Sequence, residues 1–138
     1  MISFFNEDIS MPDLSIDKIS DWINSVISSE SALTGDLNFI FCSDEYLLKM
    51  NKEYLSHDYY TDVITFDYTE NNIISGDIFM SIDRIKENSE QFSVSFDLEV
   101  KRIIVHGVLH LLGYKDKTNP DKLQMTSLEN IYLDNFNK

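Results

Sequence analysis

Apolar positions along the chain follow two different periods, and the period changes where turn-forming residues cluster. The run "ISFFNE" (2–7) is apolar and aromatic and predicts a first strand. Ile16, Ile19, Trp22, Ile23, Val26 and Ile27 then fall three and four apart, so "SIDKISDWINSVISSE" predicts an amphipathic helix. Ser15 is placed to cap it, and Asp17 suits its first turn. "GDLNFIFCS" (35–43) predicts a second strand. Ser43, Asp44 and Glu45 open a short helix carrying Tyr46, Leu47, Met50 and Tyr54. After the loop "LSHDYY", the β-branched and aromatic "TDVITFDY" predicts a strand. "NNIISG" reads as a connection and "DIFMSI" as the next strand, paired antiparallel with its predecessor across that hairpin-length loop.

Helical spacing returns for the rest of the chain. Ser81, Ile82, Asp83 and Ile85 begin one helix, and Ser95, Asp97 and Glu99 open a longer, strongly apolar one. Asn119-Pro120-Asp121 marks a new start, with Asn as cap, Pro at the first helical position and an acid in the first turn. That last helix runs through Leu123, Leu128, Ile131 and Leu133. Strands alternating with helices predict an α/β or α+β protein, and the hairpin favours a mixed sheet over an all-parallel one. The 138 residues contain no repeat and no Pro/Gly linker, which fits a single domain over 1–138.

Composition adds three constraints. Cys42 is the only cysteine, so no intrachain disulfide can form, and its apolar setting in "LNFIFC" fits a buried, reduced thiol and a cytoplasmic location. "MISFFNEDIS" lacks the basic start of a signal peptide, and "IIVHGVLHLLGY" is too short to cross a bilayer, so no membrane association is expected. The net charge of −13 is unevenly spread: residues 1–96 carry 18 acids against 5 bases, and residues 97–138 carry six of each. An acidic body argues against nonspecific binding to nucleic acid or anionic lipid. The balanced segment, with Lys115, Lys117 and Lys122, is where an anionic substrate would not be repelled.

That segment also holds the chemistry. From Ile103 to Leu112 the helix is apolar on every side except at His106 and His110. The two are four apart, so both rings leave one face of the helix a turn from each other, as when one helix gives two imidazoles to one metal ion. Gly107 lies between them, where a Cβ would press on a neighbouring strand. Gly113 is suited to reverse the chain after the helix, bringing Asp116 back over the pair. His-x3-His-x5-Asp thus offers three ligands and leaves a fourth position for water. The bland alternative is a solvated pair, or a buried pair satisfied by protein acceptors. The apolar helix, the glycine turn and the returning acid favour the metal. In metalloproteases a Glu directly follows the first His as general base; here that position is Gly107, which argues against peptide hydrolysis.

"HGVLHLLGYKD" closely resembles the H-G-x-L-H-L-x-G-Y-D-H signature of the YbeY-type endoribonucleases, the bacterial rRNA maturation factors. "MNKEYLSHDYYTDVITFDY", "SGDIFMSID" and "FDLEVKRIIVHG" resemble further segments of that family in the same order, so the likeness spans residues 37–133. The resemblance implies a zincin-like α+β fold: a small mixed sheet packed with several helices, and a central buried helix carrying the metal-binding histidines. It implies one zinc per chain, or another divalent metal in its place. It further implies single-strand-specific RNA cleavage, 16S rRNA 3′-end maturation, ribosome quality control, and the ribosome or its proteins as partners. Two positions depart from the pattern. Asp116 stands where the family has a third histidine; a carboxylate is a competent zinc ligand and adds a negative charge. Leu55 stands where the family commonly has an arginine, a phosphate contact that His57 or Lys52 would have to replace. Thr61 and Asp62 could orient substrate or simply start a strand, and Asp77 after Gly76 has the same two readings; for both acids the role of turn and strand-end partner of backbone N–H groups is favoured.

The chemistry expected is metal-assisted phosphodiester hydrolysis, with His106, His110 and Asp116 holding the metal and Lys115, Lys117 or His57 as the candidates for acting on the phosphate. No general base is evident. The alternative is a non-catalytic, metal-stabilised ribosome-assembly factor that binds RNA or protein. Three protein ligands plus solvent would suit catalysis, and four protein ligands a structural tie.

Overall fold

Alternation along one strand decides how the layers stack. In β2 (Leu33–Cys42), Leu37, Phe39 and Phe41 are fully buried in one core, while Cys42 belongs to a second core on the other face. β1 (Ile2–Asn6) pairs with β2 in parallel, and β4 (Ile73–Ser81) pairs in parallel on its other side. β3 (Val63–Asp67) closes the row antiparallel to β4, giving a four-stranded mixed sheet in the order β1-β2-β4-β3. The computed structural model describes residues 1–136, so the last two positions of the 1–138 domain lie outside the described residues.

Five helices complete the described chain: α1 (Ile16–Ser29), α2 (Asp44–Leu55), α3 (Ile82–Gln91), α4 (Phe96–Leu111) and α5 (Asn119–Phe136). The larger core joins Ile23 and Ile27 of α1, Ile85 of α3, Ile104 and Val108 of α4, and Met125 and Leu133 of α5 to Phe39, Ile78 and Met80 of the sheet. The smaller core lies under α2, where Leu47 meets Cys42 and Ile64. The architecture is the mixed α+β one expected, and no helix among the described residues is long and apolar enough to cross a membrane.

Several boundaries move. The segment read as the connection "NNIISG" is mostly strand, because β4 begins at Ile73 rather than Asp77. Only Asn71 and Asn72 turn, with φ of 54° and 65°, between the bridged pair Glu70 and Ile73. Two consecutive left-handed asparagines make the tight turn that matches strand twist, and β-branched Ile73 and Ile74 then extend naturally. β2 likewise starts at Leu33, before Gly35. Ser43, Ser81 and Ser95 cap α2, α3 and α4, accepting from the backbone N–H groups of Tyr46, Arg84 and Leu98. Ser15 precedes α1 without a side-chain cap bond. At α5 the cap is Thr118, whose hydroxyl accepts from Asp121 N–H and whose carbonyl accepts from Lys122 N–H, so Asn119 already lies inside the helix.

Candidate metal centre

α4 carries His106 and His110 because its apolar residues bury most of its surface while its last two turns reach the rim of the core. Gly107 lets the helix lie close to the sheet: a Cβ there would meet Ile78 Cδ1 at 3.0 Å and Cγ2 at 3.1 Å. Gly113, at φ +106°, ends α4 as the pattern required. Its N–H donates to His110 O and the N–H of Tyr114 donates to Leu109 O, both at 3.0 Å. This is the paired closure of a Schellman motif. Tyr114 then anchors the return path, its hydroxyl donating to Glu30 Oε1 at 2.5 Å, while the Tyr132 hydroxyl of α5 donates to the other Glu30 oxygen. Trp22 Nε1 donates to Tyr132 O at 2.8 Å. The end of α1 thereby holds both the loop that follows α4 and the helix α5.

On that path Asp116 returns to the histidine pair. The two Nε2 atoms lie 3.0 Å apart, and Asp116 Oδ2 lies 3.4 Å from His106 Nε2 and 3.3 Å from His110 Nε2. Among the described residues these three form a group able to hold a metal ion, each giving one ligand atom. Ligand bonds of about 2.0–2.1 Å in a tetrahedron would put such atoms roughly 3.3–3.4 Å apart. The two distances to Asp116 match, and the Nε2–Nε2 distance of 3.0 Å is shorter, a spacing that a small divalent ion could open by a few tenths of an ångström. The donor chemistry fits as well. Two imidazole nitrogens face each other with a carboxylate beside them, an arrangement that is repulsive unless a proton or a cation lies between the nitrogens.

The pair has a neighbour that sequence reasoning missed. His106 Nδ1 lies 2.7 Å from Glu129 Oε2, and Arg102 Nη1 donates to Glu129 Oε1 at 2.9 Å. Glu129 is a carboxylate on the buried stripe of α5, with Met125, Tyr132 and Leu133. Of the residues expected to line it, Leu133 is buried and Leu128 packs against the core, while Leu123 and Ile131 are exposed. The usable signal was an acid at the position i+4 from Met125 and i−4 from Leu133. Burial alone would lower the His106 pKa, but the Glu129 hydrogen bond and charge, with Asp116 and Asp62, hold it above its ordinary value. Burial pushes the Asp62 carboxyl up, against the opposing pull of His106, and likewise raises that of Glu99, which Arg102 opposes.

The other candidates fall in different places. A cleft of about 300 Å³ beside the site is lined by His106, Asp116, Lys122, Met125, Thr126 and Glu129. Lys115 and Lys117 flank Asp116 and are exposed, and they do not line that cleft. His57 does not join the group: its ring stacks on Tyr59 at 5.0 Å, in a cleft between α2 and β3 with Leu55 and Thr61. Lys52 is paired with Asp58 at 3.4 Å. Asp77 Oδ1 accepts from Asn38 Nδ2, and Asp62 accepts from Asn88 Nδ2 while its carbonyl accepts from Ser81 N–H.

The sequence profile described as Endoribonuclease YbeY matches residues 2–137. A Parabacteroides distasonis protein named Endoribonuclease YbeY is 46% identical over 132 residues, covering 96% of this chain and 93% of its own. A Flavobacterium johnsoniae protein of the same name is 54% identical over 110 residues, covering 80% of this chain and 79% of its own. A solution structure from Thermotoga maritima superposes with a TM-score of 0.68 at 23% identity, covering 99% of this chain and 89% of that one, a likeness of fold.

Proposed function

The chain belongs to the endoribonuclease YbeY family, and from that premise we propose that it cleaves single-stranded RNA in 16S rRNA 3′-end maturation and ribosome quality control, with one zinc held by His106, His110 and Asp116. It is a metal-dependent endoribonuclease, a phosphodiester hydrolase. The observation that carries the reading is the convergence of three donor atoms with no fourth residue in the group among the described residues. Three protein ligands leave a coordination position for solvent or substrate, whereas a structural tie would use four. Glu129 does not close the shell, because it sits behind His106 on the other ring nitrogen.

A divalent ion there would supply Lewis acidity to a phosphoryl oxygen and to water. The protein supplies the rest. Lys122 lines the cleft beside His106 and is the lysine best placed to take a phosphate charge, with Lys115 and Lys117 on the approach. Thr126 offers a hydroxyl on the same wall. His57, stacked on Tyr59 in another cleft, is not placed to act at the metal; its exposed ring suits a contact to the RNA further along the strand. The lone buried thiol of Cys42 suits a reducing cytoplasm. Ribosomal RNA and ribosomal proteins are the partners this reading assigns.

The test is incubation of metal-loaded protein with single-stranded and duplex RNA of one sequence, beside His110→Ala. Cleavage of the single strand, lost in the variant and with chelator, is the expected outcome. Equal cleavage by His110→Ala would overturn the reading, and the absence of cleavage by loaded wild-type protein would favour the non-catalytic assembly factor.

A further inference from the structure

We infer that Glu129, braced by Arg102, positions His106 for the metal, so that α5 as well as α4 builds the centre. The inference rests on the three-ligand reading and adds a residue to it. His106 uses its two nitrogens in opposite directions: Nδ1 meets Glu129 Oε2 at 2.7 Å, and Nε2 faces Asp116 and His110. A carboxylate accepts and does not donate, so Nδ1 carries the hydrogen and Nε2 of the neutral ring is left with its lone pair toward the ligand group. The ring cannot rotate without losing this bond.

The placement of Glu129 supports more than incidental contact. Its side chain is 8% exposed, and an acid so placed is costly unless paired. Arg102 takes the other oxygen at 2.9 Å and reaches Asn130 Oδ1 at 2.8 Å, so both carboxylate oxygens are fixed. Arg102, His106 and His110 are spaced by four along α4, so the brace and the two imidazoles share one face. Carboxylates behind metal-bound histidines fix the tautomer and raise ligand basicity, and their loss typically weakens metal binding by about 10–100-fold.

The competing account is an ion pair that only docks α5 on α4. Glu129→Gln separates the two. An amide has one acceptor oxygen, so it serves either Arg102 or His106. If its NH2 faces His106, Nδ1 must accept and Nε2 becomes the protonated nitrogen, which blocks the metal. Zinc affinity would be measured by competition with a chelating dye, and Co²⁺ binding by visible absorption. The expected result is a folded variant with zinc affinity about 10–100-fold weaker and an altered Co²⁺ spectrum. Wild-type affinity and spectrum in folded Glu129→Gln would overturn the inference and leave the three-ligand reading standing. Should the variant not fold, ¹⁵N shifts of the His106 ring in zinc-loaded wild-type protein decide: a protonated Nδ1 supports the inference, and Nδ1 as the metal-bound atom overturns it. A wild-type protein that takes up no metal would overturn the underlying reading, and the inference with it.

Discussion

Position 107 has room for a hydrogen and little else. A methyl group there would lie 3.0 Å from Ile78 Cδ1 and 3.1 Å from Cγ2, and Cγ2 hangs directly from the Cβ of a central strand residue. Gly107→Ala therefore requires Ile78 or α4 to give by a few tenths of an ångström. Overpacking of this kind costs about 1–3 kcal/mol, against which alanine's helix propensity returns up to about 1 kcal/mol. Urea denaturation of the metal-free protein should show a net loss, and zinc affinity should fall because the two proposed ligands, His106 and His110, flank position 107 on the helix. An unchanged midpoint would mean that Ile78 yields freely. The same residues show what was legible. The i, i+4 spacing fixes where two rings point once a helix is granted, and Gly113 implied the reversal that returns Asp116. Only its i±4 spacing from Met125 and Leu133 marked Glu129 as inward-facing; its partner His106 is 23 residues away, and only the packing of α5 on α4 joins them.

Elements were easier to detect than to bound. α4 could be read because its apolar surface and its capping serine agreed. α5 could be detected but only half phased: Leu128 and Leu133 do face the core, whereas Leu123 and Ile131 are exposed and Met125, Glu129 and Tyr132 take the other inward places. A buried charge breaks the apolar code there, and the break is where the site lies. The start of the helix was misplaced by one residue for a related reason: Asn and Thr both cap well, and Pro120 suits either register. The two registers differ in a measurable way. Thr118→Ala removes the hydroxyl that accepts from Asp121 N–H and should cost ~1 kcal/mol in chemical denaturation. Asn119→Ala, inside the first turn and exposed, should change stability by no more than about 0.5 kcal/mol. The reverse ranking would restore Asn119 as the cap.

At the scale of the molecule, charge and shape together determine how an RNA strand can approach. The first 96 residues carry the whole net charge of −13, and the remainder is balanced. The cleft beside the metal group opens on that balanced part and is lined by one lysine, Lys122, while Lys115 and Lys117 project from the turn that carries Asp116. This distribution was legible from sequence; that Lys122, and not its two neighbours, faces the cleft was not, because a turn and a helix start separate them. Each phosphate neutralised on a single strand contributes roughly −0.7 to the slope of log affinity against log salt. With three lysines available the slope should be shallow, about −2 at most, and binding to free RNA weak, so that delivery by a ribosomal or protein partner becomes useful. Lys122→Ala should lower cleavage more than binding, since Lys122 lines the cleft that also holds His106 and Asp116. The Lys115→Ala, Lys117→Ala double variant should weaken binding and reduce the slope by roughly 1.4 with zinc content unchanged. Filter binding at several salt concentrations and single-turnover cleavage measure both quantities. A double variant with wild-type affinity and slope would show that RNA reaches the metal from another side, and the turn 113–117 would then serve only to bring Asp116 back to the histidines.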